Sequence, residues 1–344
     1  MANKDFAPVN KARESNADSN ASASANGWSF QVGAGIVLML DYIKDFVSMK
    51  MEGATEDIEL ATKDGKIYAQ AKAVSKMDDR RNVAGNLAEA MRSLSRAAAN
   101  GDAIKLIYIT NISNPLSSKL DSAYRYGDKY EFSVLADEDQ KTILEKAGHT
   151  FPADKFVLHI LCFFGEGENK YERIRERIAE FLREELGDPS YNKALLDRWL
   201  AMFMANASDK PANEKSFEMD KKDIIFPVIA LVISQPVSES DFKQVCGYDD
   251  YDGLMEKFRE TLNRNLCDYE FVSGVAGDFL NKSLHAPDMR SYRYEYVKNE
   301  WMQYEEQFSA IEDREEREAV IKLLMLTVIV RRQKIWKIKG AANL

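Results

Sequence analysis

Between Met49 and Ala73, the stretch MKMEGATEDIELATKDGKIYAQAKA places Asp57, Glu59, Gln70 and Lys72 at short spacing, with Glu52 a few residues upstream. An acid followed, across a turn, by a second oxygen donor, one spacer and a lysine is a set suited to hydrolysing a phosphodiester with a divalent cation. The carboxylate holds Mg²⁺ through oxygen, the second ligand adds to the coordination, and the metal lowers the pKa of a bound water. A lysine beside the metal orients that water or stabilises the charge growing on the phosphate. The same residue types on one face of a hairpin also make an ordinary solvated surface. Spacing alone leaves both readings open.

Positioning these groups requires a ribbon. Asp64-Gly65 between alternating residues is a strong hairpin signal and predicts two short strands. A two-residue loop there puts Asp57 opposite Lys72 and Glu59 opposite Gln70, all on one face by the period-two rule. Ile58, Leu60, Ile67, Ala69 and Ala71 then form the other face, suited to burial against a helix. Upstream, Phe30, Ala34, Val37, Leu38 and Tyr42 recur with helical period and place Gln31 about one turn from the start of a first helix. Downstream, Leu87, Ala90, Met91 and Leu94 predict a helix to about Ala99, stopped by Asn100-Gly101. Lys105 to Thr110 is a compact strand, and the apolar run Phe156 to Phe164 a buried one, possible in the same sheet. The predicted order is αβββαβ. Arg92 and Arg96 share one face of the second helix, with Arg80 and Arg81 before it. They suit either phosphate contacts or a solvated face.

Asp57 with Gln70-Ala71-Lys72 resembles the PD-(D/E)XK nuclease core in its QxK variant. The context Gly27-Trp28-Ser29-Phe30-Gln31, Met51-Glu52-Gly53 and Glu56-Asp57-Ile58 is similar to the double-stranded DNA endonuclease domain of bacterial anti-phage effectors. Such domains are found in the nuclease subunit of Lamassu systems and at the front of endonucleases in cyclic-nucleotide (CBASS-type) systems. The resemblance covers roughly Gly27 to Thr110. It implies a restriction-endonuclease-like α/β core and makes Asp57 the principal ligand of Mg²⁺ or Mn²⁺. It sets Gln70 at the usual second-acid position, Lys72 as the catalytic lysine, and Gln31 and Glu52 as accessory residues, Glu52 also as a ligand. Gln70 is neutral where a carboxylate is usual, so charge at the site must come from Asp57 with Glu52 or Glu59.

The resemblance further implies double-stranded DNA as substrate, SMC- or ABC-like ATPase partners, and an active homo-oligomer that brings two sites together. No GxxxxGK[ST] motif occurs, so an ATPase would be another chain. Alternatives are the effector of a cyclic-nucleotide system, or a non-catalytic DNA-binding scaffold that keeps the fold.

Composition limits these readings. A net charge of −9 and a pI near 5.2 over 344 residues do not describe a nucleic-acid binder as a whole, so DNA requires a local basic surface or a partner that supplies one. Cys162, Cys246 and Cys267 lack CxxC spacing, and His149, His159 and His285 are scattered, which argues against zinc or disulfide frameworks. No apolar run reaches membrane-span length and no signal-peptide core opens the chain, from which a cytoplasmic protein is expected.

The expected organisation is a flexible leader over residues 1–26, rich in Ala, Ser and Asn, a nuclease domain over 27–168 and a mainly α-helical regulatory or oligomerisation domain over 169–344. In the last of these, helices are expected over 171–186, 191–205, 240–245, 251–265, 288–308 and 314–338. Ile224 to Ser234 reads as an apolar segment interrupted by Pro227. The final helix joins the apolar run Val320 to Val330 to a basic end containing Trp336. Cations there compensate the helix dipole, or serve a nucleic-acid or acidic partner.

Overall fold

The computed structural model describes residues 12–53, 56–116, 124–148, 150–208, 218–235 and 237–344. Two compact units divide the chain: residues 1–181 with 196–220, and residues 182–195 with 221–344. This partition places the boundary later than the cut expected at residue 168, and returns part of the helical segment to the first unit.

The first unit is a mixed α/β layer structure. Helix α1 (Ala12–Asp41) leads into β1 (Phe46–Met51), β2 (Ile58–Thr62) and β3 (Gly65–Lys72), then α2 (Val83–Ala98) and β4 (Ala103–Thr110). After these come β5 (Lys129–Glu131), α3 (Asp137–Ala147), β6 (Phe156–Ile160), α4 (Glu172–Leu186) and α5 (Asn192–Ser208), both of which the partition divides between the units, and β7 (Met219–Asp220). The strands form one seven-stranded sheet in the order β5-β6-β4-β3-β2-β1-β7. Its centre, β3-β4-β6, is parallel and its flanks are antiparallel. The parallel centre explains the apolar run: every residue of β6 is buried, as in a strand covered on both faces.

Helix α2 forms because Val83, Leu87, Ala90, Met91, Leu94 and Ala97 repeat every three or four residues. From Leu87 to Ala97 that stripe packs on Tyr68, Leu106, Tyr108, Phe156 and Leu158 of the sheet, while Val83 packs with Val74 and Ile112. Helix α1 begins at Ala12, inside the stretch expected to be a leader. Alanine has the highest helix propensity, and the alanine-rich segment continues the helix rather than ending it. The first part of the expected leader, residues 1–11, lies outside the described residues, as does His149. Helix α3 carries little apolar periodicity and has no counterpart in the sequence reading; only Asp139 and Ile143 are buried in it.

The hairpin forms, but its register differs from expectation by two residues. Thr62 pairs with Gly65, Glu59 with Tyr68 and Ile58 with Ala69. The loop is therefore Lys63-Asp64, and Gly65 opens β3. The Thr62 hydroxyl donates to the Gly65 carbonyl at 2.9 Å and accepts from the Asp64 N–H at 3.3 Å, closing the turn one residue early. Gly65 has φ +148°, and a Cβ there would stand 2.6 Å from Ile104 Cγ2 and 2.9 Å from the Asp102 carbonyl oxygen. A shift of two keeps every side chain on its expected face and changes only who faces whom.

The second unit is helical, with α6 (Lys221–Ile233), α7 (Glu239–Lys243), α8 (Tyr251–Lys257), α9 (Arg259–Leu266), α10 (Tyr269–Ser283), α11 (Met289–Glu300), a 3₁₀ segment (Trp301–Phe308) and α12 (Arg314–Ala341). Helix α12 is its axis: Ala319 to Ile329 are buried without interruption. Lys322 survives in that run by pairing with Glu318 and lying 5.8 Å from the Trp301 ring centre. In the basic end, Arg332 stacks on Phe279 and Lys339 lies over Tyr269, so part of that charge serves packing within the unit. Helix α6 continues through Pro227, which does not interrupt it. Helix α10 has no counterpart in the sequence reading. Gly274 and Gly277 weaken its local signal, and burial of Phe271, Val272, Val275 and Phe279 overrides that weakness.

Candidate active site

The start of β2 and the last residues of β3 bring the site together. Asp57 precedes β2 by one residue, at the close of the connection from β1. Its carbonyl accepts from the Glu52 N–H at 2.8 Å, and Glu52 adopts φ +51°, a left-handed conformation that a glutamate seldom takes. Gly53 next to it lies close under Glu59: a Cβ there would sit 2.3 Å from Glu59 Cδ and displace the end of that side chain. Glu52 and Gly53 thus lie against the start of β2, beside Asp57 and Glu59.

Because the register is two residues from the expected one, Asp57 meets Gln70 rather than Lys72. One oxygen of its carboxylate accepts from Gln70 Nε2 and from the Ala71 N–H, the latter at 2.9 Å. Gln31, on the face of α1, also hydrogen-bonds the carboxylate. Burial nevertheless dominates and lifts the Asp57 pKa above its ordinary value, against the Ala71 N–H, the Lys72 charge and the two glutamines. Lys72 lies near enough to act on Asp57 electrostatically, and its Nζ stands 3.2 Å from Glu89 Oε1 on α2. Asp57, Gln70, Lys72 and Gln31 therefore converge from β2, β3 and α1. Gln70 is buried, whereas Asp57 and Lys72 keep partial exposure.

The other expected residues are distributed differently. Glu52 reaches Asp57 through its backbone. Arg80 Nη1 donates to the Asn114 carbonyl at 2.7 Å, Arg81 pairs with Asp79 at 2.7 Å, and Arg92 Nε donates back to the Ala88 carbonyl at 3.2 Å. Arg96 is exposed on α2 and close enough to Glu56 to act on its charge. The four arginines thus form no common group in these contacts.

Glu56 was absent from the expected site. It is 4% exposed, and neither carboxylate oxygen has a hydrogen-bond partner among the described residues. Burial pushes its pKa from 4.5 to about 7, with Asp57 and Glu59 adding to the rise while Ser93 and Arg96 oppose it less strongly. Adjacent to Asp57 in sequence, it reads there as one more surface acid, and no local pattern signals its burial. Tyr108 is a second such group. It pairs in register with Gln70 and is fully buried, with an unpartnered hydroxyl.

Among the described residues no three or more of His, Cys, Asp and Glu gather as a metal cage. The donors present are the Asp57 carboxylate, the Gln70 amide and the buried Glu56 carboxylate. Two neighbouring, partly desolvated acids of raised pKa suit an oxygen-bound hard cation, which would offset their mutual repulsion. With Gln70 neutral, the set fits a weakly held Mg²⁺ or Mn²⁺.

No protein-family model matches the sequence, and no curated protein matches it. Among solved structures, a distant match is the Acinetobacter baumannii Cap4 SAVED/CARF-domain containing receptor with the cyclic trinucleotide 2'3'3'-cAAA. The identity is 13% and the TM-score 0.39, over 79% of this chain and 64% of that one, so the chain spans less than two thirds of the receptor's length.

Proposed function

We propose that the chain is a metal-dependent endodeoxyribonuclease with a PD-(D/E)XK-type site in its QxK form, carried on a restriction-endonuclease-like core. The observation that supports this reading is the convergence of Asp57, Gln70, Gln31 and Lys72 at one end of the β2–β3 ribbon. The element order α1-β1-β2-β3-α2-β4 agrees with it.

In this reading Asp57, with Gln70, holds Mg²⁺, which when bound supplies an acidified water and neutralises phosphate charge. The chain's own residues do the remaining work. Gln31, Gln70 and the Ala71 N–H fix the Asp57 carboxylate in one orientation. Glu89 tethers Lys72 at 3.2 Å, so its ammonium stands near Asp57 to meet negative charge on the scissile phosphate. DNA is the proposed substrate, despite the chain's net charge of −9. The exposed Arg92 and Arg96 on α2 offer part of the local positive charge that phosphate binding requires. A double-strand break needs two such sites and hence an assembly. The helical unit is proposed to serve that assembly, together with ATPase subunits of an anti-phage or anti-plasmid defence complex.

Incubating the full chain with plasmid and Mg²⁺ or Mn²⁺, alone and with neighbouring gene products, tests the reading. Cleavage by the wild type that is lost in Lys72→Ala, with DNA binding retained, supports catalysis. A wild type inert under every condition, yet still binding DNA, favours the scaffold.

A further inference from the structure

Gln70 leaves the site one negative charge short, and Glu56, just before β2, is a buried acid that no cation pairs directly. Glu56 is 4% exposed; the Ser93 hydroxyl and the Arg96 charge act on its carboxylate, yet neither oxygen makes a well-formed hydrogen bond among the described residues. An ionised carboxylate in that state is strongly unfavourable, and a bound cation is one arrangement that relieves it. Its immediate neighbour in sequence is Asp57, with which it interacts electrostatically. The cations at hand do not complete it. Lys72 is paired with Glu89, and Arg96 acts on Glu56 from an exposed position without a hydrogen bond to its buried oxygens.

We infer that Glu56 is a second carboxylate ligand of the divalent cation held by Asp57, supplying from the β1–β2 connection the charge that Gln70 lacks. This inference rests on the proposed nuclease site. The ligand is a hard, oxygen-seeking cation such as Mg²⁺ or Mn²⁺. Glu56 and Asp57, being consecutive, can contribute together because both precede β2, where the strict alternation of a strand does not yet apply.

Mn²⁺ binding to the full chain, measured by electron paramagnetic resonance or calorimetry without DNA, provides the test. The variants are Glu56→Gln, which keeps shape and removes charge, and Asp57→Asn. The expected result is at least tenfold weaker Mn²⁺ binding in Glu56→Gln, with an unchanged far-UV circular dichroism spectrum. Wild-type affinity in Glu56→Gln, alongside loss of binding in Asp57→Asn, overturns the role of Glu56 and leaves the nuclease site standing. Absence of Mn²⁺ binding in the wild type overturns the metal site itself. Should Glu56→Gln fail to fold, Glu56→Asp keeps the charge but draws it back by one methylene. A severalfold loss of affinity there supports the inference, and unchanged affinity opposes it.

Discussion

Neutralising Glu56 should make the metal-free protein more stable at pH 8 and change it little at pH 5. Burial lifts the Glu56 pKa from 4.5 to about 7, and the residue is 4% exposed, so solvent screens little of the effect. Each pH unit between the folded and unfolded values corresponds to about 1.4 kcal/mol, so ionising this group in the native state costs about 3 kcal/mol. The sign follows from proton binding. Below 4.5 both states hold the proton and its contribution is fully present. Between 4.5 and about 7 the unfolded chain releases it while the native state keeps it, so stability falls as pH rises, and the loss is complete above the folded value. Glu56→Gln removes the titration. Urea denaturation in EDTA at pH 5 and pH 8 measures it, read by hydrogen–deuterium exchange of β3 peptides to report the unit that carries the site. The stability gained by the variant should grow by about 2–3 kcal/mol between the two conditions. Adding Mg²⁺ should shrink that gain, because the cation stabilises only the wild-type pair of acids. An equal difference between variant and wild type at both pH values would refute the electrostatic account of the site.

Further outcomes follow from other residues. On the proposed nuclease reading, Lys72→Ala should lower DNA cleavage by about 10²-fold or more while leaving Mn²⁺ affinity near wild type, since that reading has the ammonium meet substrate charge rather than ligate the metal; initial rates with calorimetry separate the two. Asp57→Asn should lose both cleavage and Mn²⁺ binding, seen as a melting temperature that no longer rises with the ion. His159 lies in β6, 2% exposed, and burial lowers its pKa from 6.5 to about 4. The native state resists protonation that the unfolded chain accepts, so its contribution is present above 6.5 and about 3 kcal/mol is lost as pH falls toward 4. His159→Gln should flatten that acid limb in urea titrations. Leu94→Ala, in the fully buried α2 stripe, should cost about 2–5 kcal/mol in the sheet unit, read from the same exchange measurement.

The residue types at the site, their order and the elements that carry them were legible because each rests on local pattern. Alternation marked the ribbon, the three-to-four spacing of Val83, Leu87, Ala90 and Leu94 marked α2, and an unbroken apolar run marked β6. Periodicity also set which face each side chain takes, and a two-residue slip left that intact. Partner identity was another matter. Thr62 closes the turn with its own hydroxyl, and Gly65 fits closely against Ile104 and Asp102, residues some forty positions away. Packing of β3 on β4 thereby turned Asp57 to Gln70 and left Lys72 to Glu89. Burial was equally out of local reach. Glu56 reads along the chain as one more surface acid, and only its burial beside Ser93 and Arg96 of α2 makes it a desolvated carboxylate of raised pKa. Helices α3 and α10 carry weak local signals and exist because neighbouring elements bury Ile143, Phe271 and Phe279. Sequence by itself determined the chemistry that is available here; tertiary structure decided which groups meet and how dry they are, because proximity and desolvation are made by contacts between segments distant in the chain.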